Sequence, residues 1–145
     1  MKTKAIPAAR IALGLIFFVF GLNGFLHFLP QPPMSGPPAA FGGALLATGY
    51  MFPLIKGTEV LGGVALLSGR YVPLALTVLA PVIVNIVAFH AFLAPSGLPL
   101  ALIIVALEVY LAWAHRETFR PLLRAHAAPA AIEAPLPGRD VRAAA

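Results

Sequence analysis

Four long apolar runs are the feature that most constrains this chain of 145 residues. Only 10 % of the residues are charged, whereas soluble domains carry about 25 %, so most of the apolar surface must face lipid. At about 20 residues per crossing, the chain is long enough for four membrane-spanning helices and leaves no room for a large extramembrane domain. We therefore predict an all-α membrane protein, a four-transmembrane-helix antiparallel bundle.

Turn-forming sequences separate the predicted spans. The spans cover about residues 11–29, 53–69, 71–93 and 98–115 of a transmembrane domain over residues 1–124. Residues 125–145 are Ala/Pro-rich without an apolar period, so we expect a disordered cytoplasmic tail there. The first span follows basic residues, as a signal peptide does. It exceeds the usual apolar region of such a peptide and has no A-x-A cleavage pattern, so we expect it to be retained.

The segment between the first two crossings is apolar but too long for one perpendicular helix. Residues 41–67 would extend roughly 40 Å as a helix, and Pro53 interrupts them. Because proline is tolerated in the first turn of a helix, we expect it to open the second span. We expect a short interfacial helix over Phe41–Phe52 before it. A re-entrant segment and a kinked helix continuous with the second span are the alternatives.

Basic residues predict the orientation of the bundle, since Lys and Arg accumulate on the cytoplasmic side. Those outside the spans all fall on one side: Lys2, Lys4, Arg10, Arg70, Arg116, Arg120, Arg124, Arg139 and Arg142. Both termini are therefore expected in the cytoplasm of a bacterial cell, with the chain a multi-pass protein of the inner membrane. The net charge of +5 is read as this orientation signal, and the bilayer, not nucleic acid, is the expected partner.

Polar side chains inside the spans are the candidate functional residues, because each needs a partner or a wet cavity. They are Asn23, His27, Lys56, Glu59, Asn85, His90 and Glu108. Counting 1.5 Å per residue places the first six about 3–12 Å below the outer boundary, and Glu108 about 15 Å below it. We expect Asn23 and His27 to share one inward face of the first helix. The prediction is a polar pocket that opens outward, with ligand-binding or proton-relay roles for these residues.

Each of these residues also has a structural interpretation. Asn and His hydrogen-bond between membrane helices for about 1 kcal/mol each, and Lys56 can extend to the headgroups. Glu59 must be paired or protonated, and Lys56 three residues earlier is the available partner. Glu108 fits a neutral buried acid, a partner for an imidazole, or the lower end of a proton path. With no Cys and no third ligand beside two spanning His, no metal site is expected.

Small residues predict where the helices approach closely. Gly21 and Gly24 in the first span and Gly62-Gly63 in the second leave room for a neighbouring backbone. Pro81 in the third span lacks an N–H group, so it frees a backbone carbonyl one turn earlier. We expect the helices to pack tightly at the glycines and the third span to bend near Pro81.

Four sequence runs together carry a family resemblance. They are RIALGLIFFVFGLNGFLHFL, PLIKGTEVLGGVALLSG, PVIVNIVAFHAFL and a closing span that ends in a basic stretch, covering about residues 10–123. Their order resembles the DoxX-like family of small bacterial integral membrane proteins. The resemblance implies an inner-membrane protein; named members include a membrane subunit of a thiosulfate:quinone oxidoreductase and proteins linked to oxidative-stress complexes. Without any Cys, this chain is not expected to oxidise thiosulfate by itself.

Three functions are compatible with these features. The leading hypothesis is a membrane subunit or small-molecule binder of a redox system, whose pocket holds a quinone-like head group. His, Asn or Lys would bind the quinone carbonyl, Glu59 or Glu108 would supply protons, and a soluble or membrane redox partner would supply electrons. A homo-oligomer is compatible with this hypothesis. The alternatives are a non-enzymatic structural or assembly protein and a small proton-linked transporter that uses Lys56 and Glu59.

Overall fold

The computed structural model describes residues 2–30 and 33–125, which form helices joined by short connections. The elements are α1 (Lys2–Leu26), α2 (Gly36–Ala47), α3 (Met51–Ser68), α4 (Val72–Phe92), a 3₁₀ turn (Pro95–Gly97), α5 (Leu98–Ala114), α6 (Arg116–Phe119) and a second 3₁₀ turn (Arg120–Leu123). No strand occurs in this part of the chain, which confirms the all-α class. The expected disordered tail lies outside the described residues from position 126 onward.

The four long helices form the bundle. Within the described residues, α1, α3, α4 and the segment Pro95–Ala114 are long and apolar enough to cross a membrane. Helix α1 packs against α3 and α5, and α4 packs between α3 and α5. The core consists of apolar side chains from all four: Leu13, Phe17, Leu66, Val72, Ala75, Leu76, Leu79, Ile83, Ile104 and Leu111.

The outer surface of the bundle is apolar as well. Large side chains point away from the core on every long helix; examples are Leu15, Leu61, Val84 and Ile103. Phe92 at the end of α4 is 83 % exposed. A soluble protein does not cover its surface in this way, because contiguous apolar patches of this extent drive association. The chain is therefore a membrane protein whose outer faces contact lipid.

Helices α1 and α3 approach each other through glycines, as predicted. A Cβ atom on Gly63 would lie 2.6 Å from the backbone nitrogen of Phe18. A Cβ atom on Gly21 would lie 2.9 Å from the Cβ atom of Glu59, and one on Gly24 would lie 2.5 Å from the side chain of Lys56. The missing side chains of α1 thus make room for the two charged residues of α3.

A tight turn joins α3 to α4 and is held by α1. Gly69 ends α3 with φ 72°, in the left-handed region that glycine adopts without strain. The guanidinium of Arg10 donates to the carbonyl oxygens of Leu66 and Leu67, the latter at 3.1 Å. Leu66 O also accepts from Gly69 N at 3.1 Å, so Arg10 adds a second donor there and supplies a donor to Leu67 O at the end of the helix. We call this side of the bundle, where the chain also continues into α6, the basic end.

Helix α2 is a separate helix at the opposite side, which we call the α2 end. Residues 48–50 break the chain between α2 and α3, with Gly49 at φ 75°. The Thr48 hydroxyl donates to Leu45 O at 2.7 Å and accepts from Met51 N at 3.0 Å, which stabilises the break. The short helix begins and ends about five residues earlier than the predicted Phe41–Phe52. The chain therefore does not form the alternative, a kinked helix continuous with the second span.

Candidate functional site: two cavities at the α2 end

Two adjoining cavities lie between the helices at the α2 end. The smaller, of about 400 Å³, is bounded by α2, α3 and α4. The larger, of about 610 Å³, is bounded by α1, α3, α4, α5 and the residues around the 3₁₀ turn. The residues that line both are Lys56, Glu59, Ile86, Phe89 and His90. The shared wall therefore carries an ammonium group, a carboxyl group and an imidazole in otherwise apolar surroundings.

Lys56 and Glu59 form an ion pair one helical turn apart on α3. The Nζ atom of Lys56 lies 2.8 Å from Oε2 and 3.1 Å from Oε1 of Glu59. The Glu59 side chain is 5 % exposed and that of Lys56 is 21 % exposed, and the ammonium group also lies 5.9 Å from the centre of the Phe52 ring. The pair neutralises the buried carboxylate while the ammonium remains accessible to a molecule in the cavities.

His90 is held in place by the chain that follows its helix. Its Nδ1 atom lies 3.0 Å from the carbonyl oxygen of Ala94. Because a carbonyl can only accept, Nδ1 carries the N–H group, and Nε2 of the neutral ring is an acceptor. A Cβ atom on Gly97 would overlap the imidazole ring. The ring orientation is thus fixed by one hydrogen bond and by close contact with a glycine.

Asn85 is an exposed amide on the α4 wall of the smaller cavity. It follows Pro81 by four residues, and Pro81 lines the same cavity. Proline has no N–H group, so the carbonyl of Thr77 loses its helical partner. The α4 side of the smaller cavity therefore combines an exposed amide with a weakened turn of helix.

Asn23 and His27 lie elsewhere, which differs from the predicted inward-facing pair. Helix α1 ends at Leu26, so His27 follows the helix with φ 52° and is exposed. Asn23 is 4 % exposed, and its Oδ1 atom accepts a hydrogen bond from Leu29 N at 2.6 Å. Neither residue lines the cavities. The prediction assumed helix through Leu29, whereas Asn23 binds the chain after the helix end.

Glu108 lies farther from the α2 end, counted along its helix, than the other candidate residues do along theirs. It follows the start of α5 at Leu98 by ten residues, or about 15 Å along the helix. It is 9 % exposed, and its Oε2 atom has no hydrogen-bond partner among the described residues. Ile104, four residues earlier on the same buried face, lines the larger cavity. Glu108 is thus one helical turn below that cavity.

Aromatic residues form much of the cavity walls, and none was among the sequence candidates. They are Phe17, Phe20, Phe41, Phe52 and Phe89. The rings of Phe41 on α2 and Phe89 on α4 lie 5.5 Å apart and connect the short helix to the bundle. One signal was available: Phe52 precedes Lys56 by four residues and therefore shares its helical face. The contribution of α2 required the tertiary structure.

Fold and site together define a class of protein. It is a four-helix membrane protein with two adjoining cavities between its helices at one end, and the cavity walls are mostly apolar with a few polar side chains. Among residues 2–30 and 33–125, no group of three or more His, Cys, Asp or Glu side chains could hold a metal ion. Comparison with known proteins identifies no relative, since no protein-family model, curated protein or solved structure matches this chain.

Proposed function

We propose that this protein binds a lipid-soluble carbonyl compound of the quinone type in the paired cavities and acts as the membrane subunit of a redox system. The observation that carries the proposal is the shared wall, where Lys56, Glu59 and His90 meet apolar and aromatic side chains. Small-molecule sites typically combine such walls with a few polar groups that orient the ligand. The two volumes lie in the range of sites for small organic ligands.

The residues present fit a quinone head group. Asn85 and Lys56 can each donate a hydrogen bond to a carbonyl oxygen, and Nε2 of His90 can accept one from a hydroxyl group. Aromatic walls suit a planar ring, and exposure of the smaller cavity beside Asn85 leaves a way in from the lipid. A bound quinone supplies reversible electron and proton chemistry. The protein would orient the ring and limit its contact with water.

The proposed setting follows from the charge distribution and the family resemblance. We place the chain in a bacterial inner membrane as a DoxX-like protein, with the basic end and both termini in the cytoplasm. Arg10 and Arg70 at that end support this orientation. The short connections at the α2 end are too small to bind a soluble substrate, so electrons would come from a soluble or membrane partner protein. Assembly as a homo-oligomer is compatible with this arrangement.

Single cysteines test the orientation cleanly, because the chain has none of its own. Ser96→Cys at the α2 end should react with a membrane-impermeant maleimide added to intact spheroplasts. Ser68→Cys at the basic end should react only after permeabilisation. Both serines are exposed, which makes them a matched pair. Labelling of Ser68→Cys alone in intact spheroplasts would reverse the proposed orientation.

Photolabelling tests the ligand site. The protein, reconstituted in lipid nanodiscs, is irradiated with an azidoquinone, with and without decylubiquinone as competitor, and the labelled peptides are identified by mass spectrometry. We expect labelling of residues 51–59 and 81–90 that the competitor suppresses. Asn85→Leu should weaken competition about five- to tenfold, the effect of losing one hydrogen bond.

Thr77→Val is the matched control for Asn85→Leu. Thr77 is also exposed on α4, but its hydroxyl binds Pro73 O at 2.9 Å and it does not line the cavities. It should leave the labelling unchanged. Labelling spread over all lipid-facing segments and insensitive to decylubiquinone would contradict the proposed site.

A structural or assembly role is the second candidate, and the internal pairing of the polar groups favours it. Asn23 binds Leu29 N, Lys56 binds Glu59, and the imidazole of His90 binds Ala94 O. These local contacts satisfy the polar groups within the protein, so a ligand is not required to explain their presence. Photolabelling that decylubiquinone does not suppress, together with loss of folded protein in Asn23→Ala, would favour this role.

A further inference from the structure

Glu108 is a buried carboxyl group that the proposed ligand site does not use. It lies on the face of α5 that also carries the buried side chains of Ala101, Ile104 and Leu111. It is 9 % exposed, and within the described part of the chain its Oε2 atom has no hydrogen-bond partner. A charged carboxylate is stable in such surroundings only when paired or hydrogen-bonded. This oxygen therefore needs a partner other than the described side chains and backbone, and a proton is the smallest that fits.

The larger cavity comes within one helical turn of this carboxyl group. Ala101 and Ile104 line that cavity, and Ile104 precedes Glu108 by four residues, or about 6 Å along the axis. Cα–Cβ bonds of an α-helix tilt toward its N-terminus, which for α5 is the cavity end. The Glu108 side chain is thus displaced toward the cavity, and Ile104 is the side chain between them on this face.

No cation among the described side chains competes with a proton at this position. Helix α5 packs against α1, α4, α6 and the turn Pro95–Gly97. The titratable or permanently charged side chains described on these elements are Lys4 and Arg10 on α1, His90 on α4, and Arg116 and Glu117 on α6. None of them hydrogen-bonds to Oε2 of Glu108. Arg10 instead binds the end of α3, His90 binds Ala94 O, and Arg116 lies 4.9 Å from the Trp113 ring.

We propose that Glu108 is a proton-binding site that exchanges its proton with water in the larger cavity. The carboxylate takes one proton from a hydronium ion in the cavity water, which leaves a water molecule and a neutral carboxylic acid, and the acid returns the proton to a cavity water molecule by the same route. No electron is transferred and no covalent bond other than O–H forms or breaks. The inference does not depend on quinone binding, because cavity water is the partner in the exchange.

Infrared difference spectroscopy tests the bound proton. Wild-type protein and Glu108→Gln are compared in nanodiscs at neutral pH, first in H₂O and then in D₂O. We expect the wild type to show a C=O stretch of a protonated carboxyl group above the amide I band that Glu108→Gln lacks. The band should shift after transfer to D₂O. A spectrum in which Glu108→Gln removes no such band, or in which the band does not shift, overturns the proposal.

The rate at which this C=O band shifts in D₂O tests whether the proton exchanges through the larger cavity. Ile104→Phe enlarges the side chain between the cavity and Glu108 and should slow exchange by on the order of tenfold. Leu102→Phe is the matched control, because Leu102 is 55 % exposed on the outer face of the same helix; it should exchange at the wild-type rate. If Ile104→Phe does not fold, Ile104→Val should instead speed exchange. Wild-type rates in whichever Ile104 variant folds overturn the cavity route.

Discussion

The contact between α1 and α3 predicts that one glycine of α3 cannot carry a methyl group while another can. A Cβ atom on Gly63 would lie 2.6 Å from the nitrogen and 2.9 Å from the Cα atom of Phe18, and 3.0 Å from the carbonyl oxygen of Gly14. All three are backbone atoms, so no side-chain rotation relieves the contact. A Cβ atom on Gly57, in the same helix, would have no neighbour within 4 Å.

The difference between Gly63→Ala and Gly57→Ala isolates the packing contribution. Both substitutions gain the same helix propensity, about 1 kcal/mol for Gly to Ala, so this contribution cancels between them. Ordinary carbon contacts are about 3.5–4.0 Å, so α1 and α3 must separate by about 1 Å to admit the methyl group of Gly63→Ala. Overpacking of this kind destabilises by about 1–3 kcal/mol. We expect Gly63→Ala to be less stable than Gly57→Ala by that amount.

Reversible unfolding in mixed detergent and SDS micelles measures this difference. The single tryptophan of the chain, Trp113, provides the fluorescence signal. Gly57→Ala should be at least as stable as the wild type. Equal free energies of unfolding for Gly63→Ala and Gly57→Ala would contradict the conclusion that α1 and α3 pack too closely to admit a methyl group at position 63.

Three further predictions concern the polar contacts. Lys56→Met leaves the more deeply buried partner, Glu59, without a cation, so this substitution should lower the free energy of unfolding by about 3–5 kcal/mol. The loss should be larger than that in Glu59→Gln, and equal losses in the same unfolding assay would contradict this asymmetry. Gly97→Ala should displace the His90 ring and remove its Nδ1–H signal from ¹⁵N-histidine spectra, and an unchanged spectrum would refute the contact. Arg10→Met should lower the free energy of unfolding by about 1–3 kcal/mol, because Leu67 O at the end of α3 loses its side-chain donor. An unchanged free energy of unfolding would contradict this capping role.

Span number and helix class follow from the sequence because they depend on local properties. A run of about 20 apolar residues must satisfy its backbone hydrogen bonds internally in lipid, and a helix does so whatever its neighbours are. The glycine contacts of Gly21 and Gly63 could be anticipated for the same reason, since a missing side chain permits close approach in any bundle. The pairing of Lys56 with Glu59 was also local, three residues apart on one helix.

The composition of the candidate site depended on contacts between helices far apart in the chain. Asn23 binds Leu29 N beyond the end of α1, which excludes His27 from the inward face that the spacing had indicated. Helix α2 brings Phe41 against Phe89, forty-eight residues away, and so closes one wall of the smaller cavity. The sequence by itself determined which apolar segments form the long helices and how far along each helix its polar residues lie, because rise per residue is constant along a helix. Only the tertiary structure decided which of them face a cavity, because that depends on how each helix ends and rotates against its neighbours.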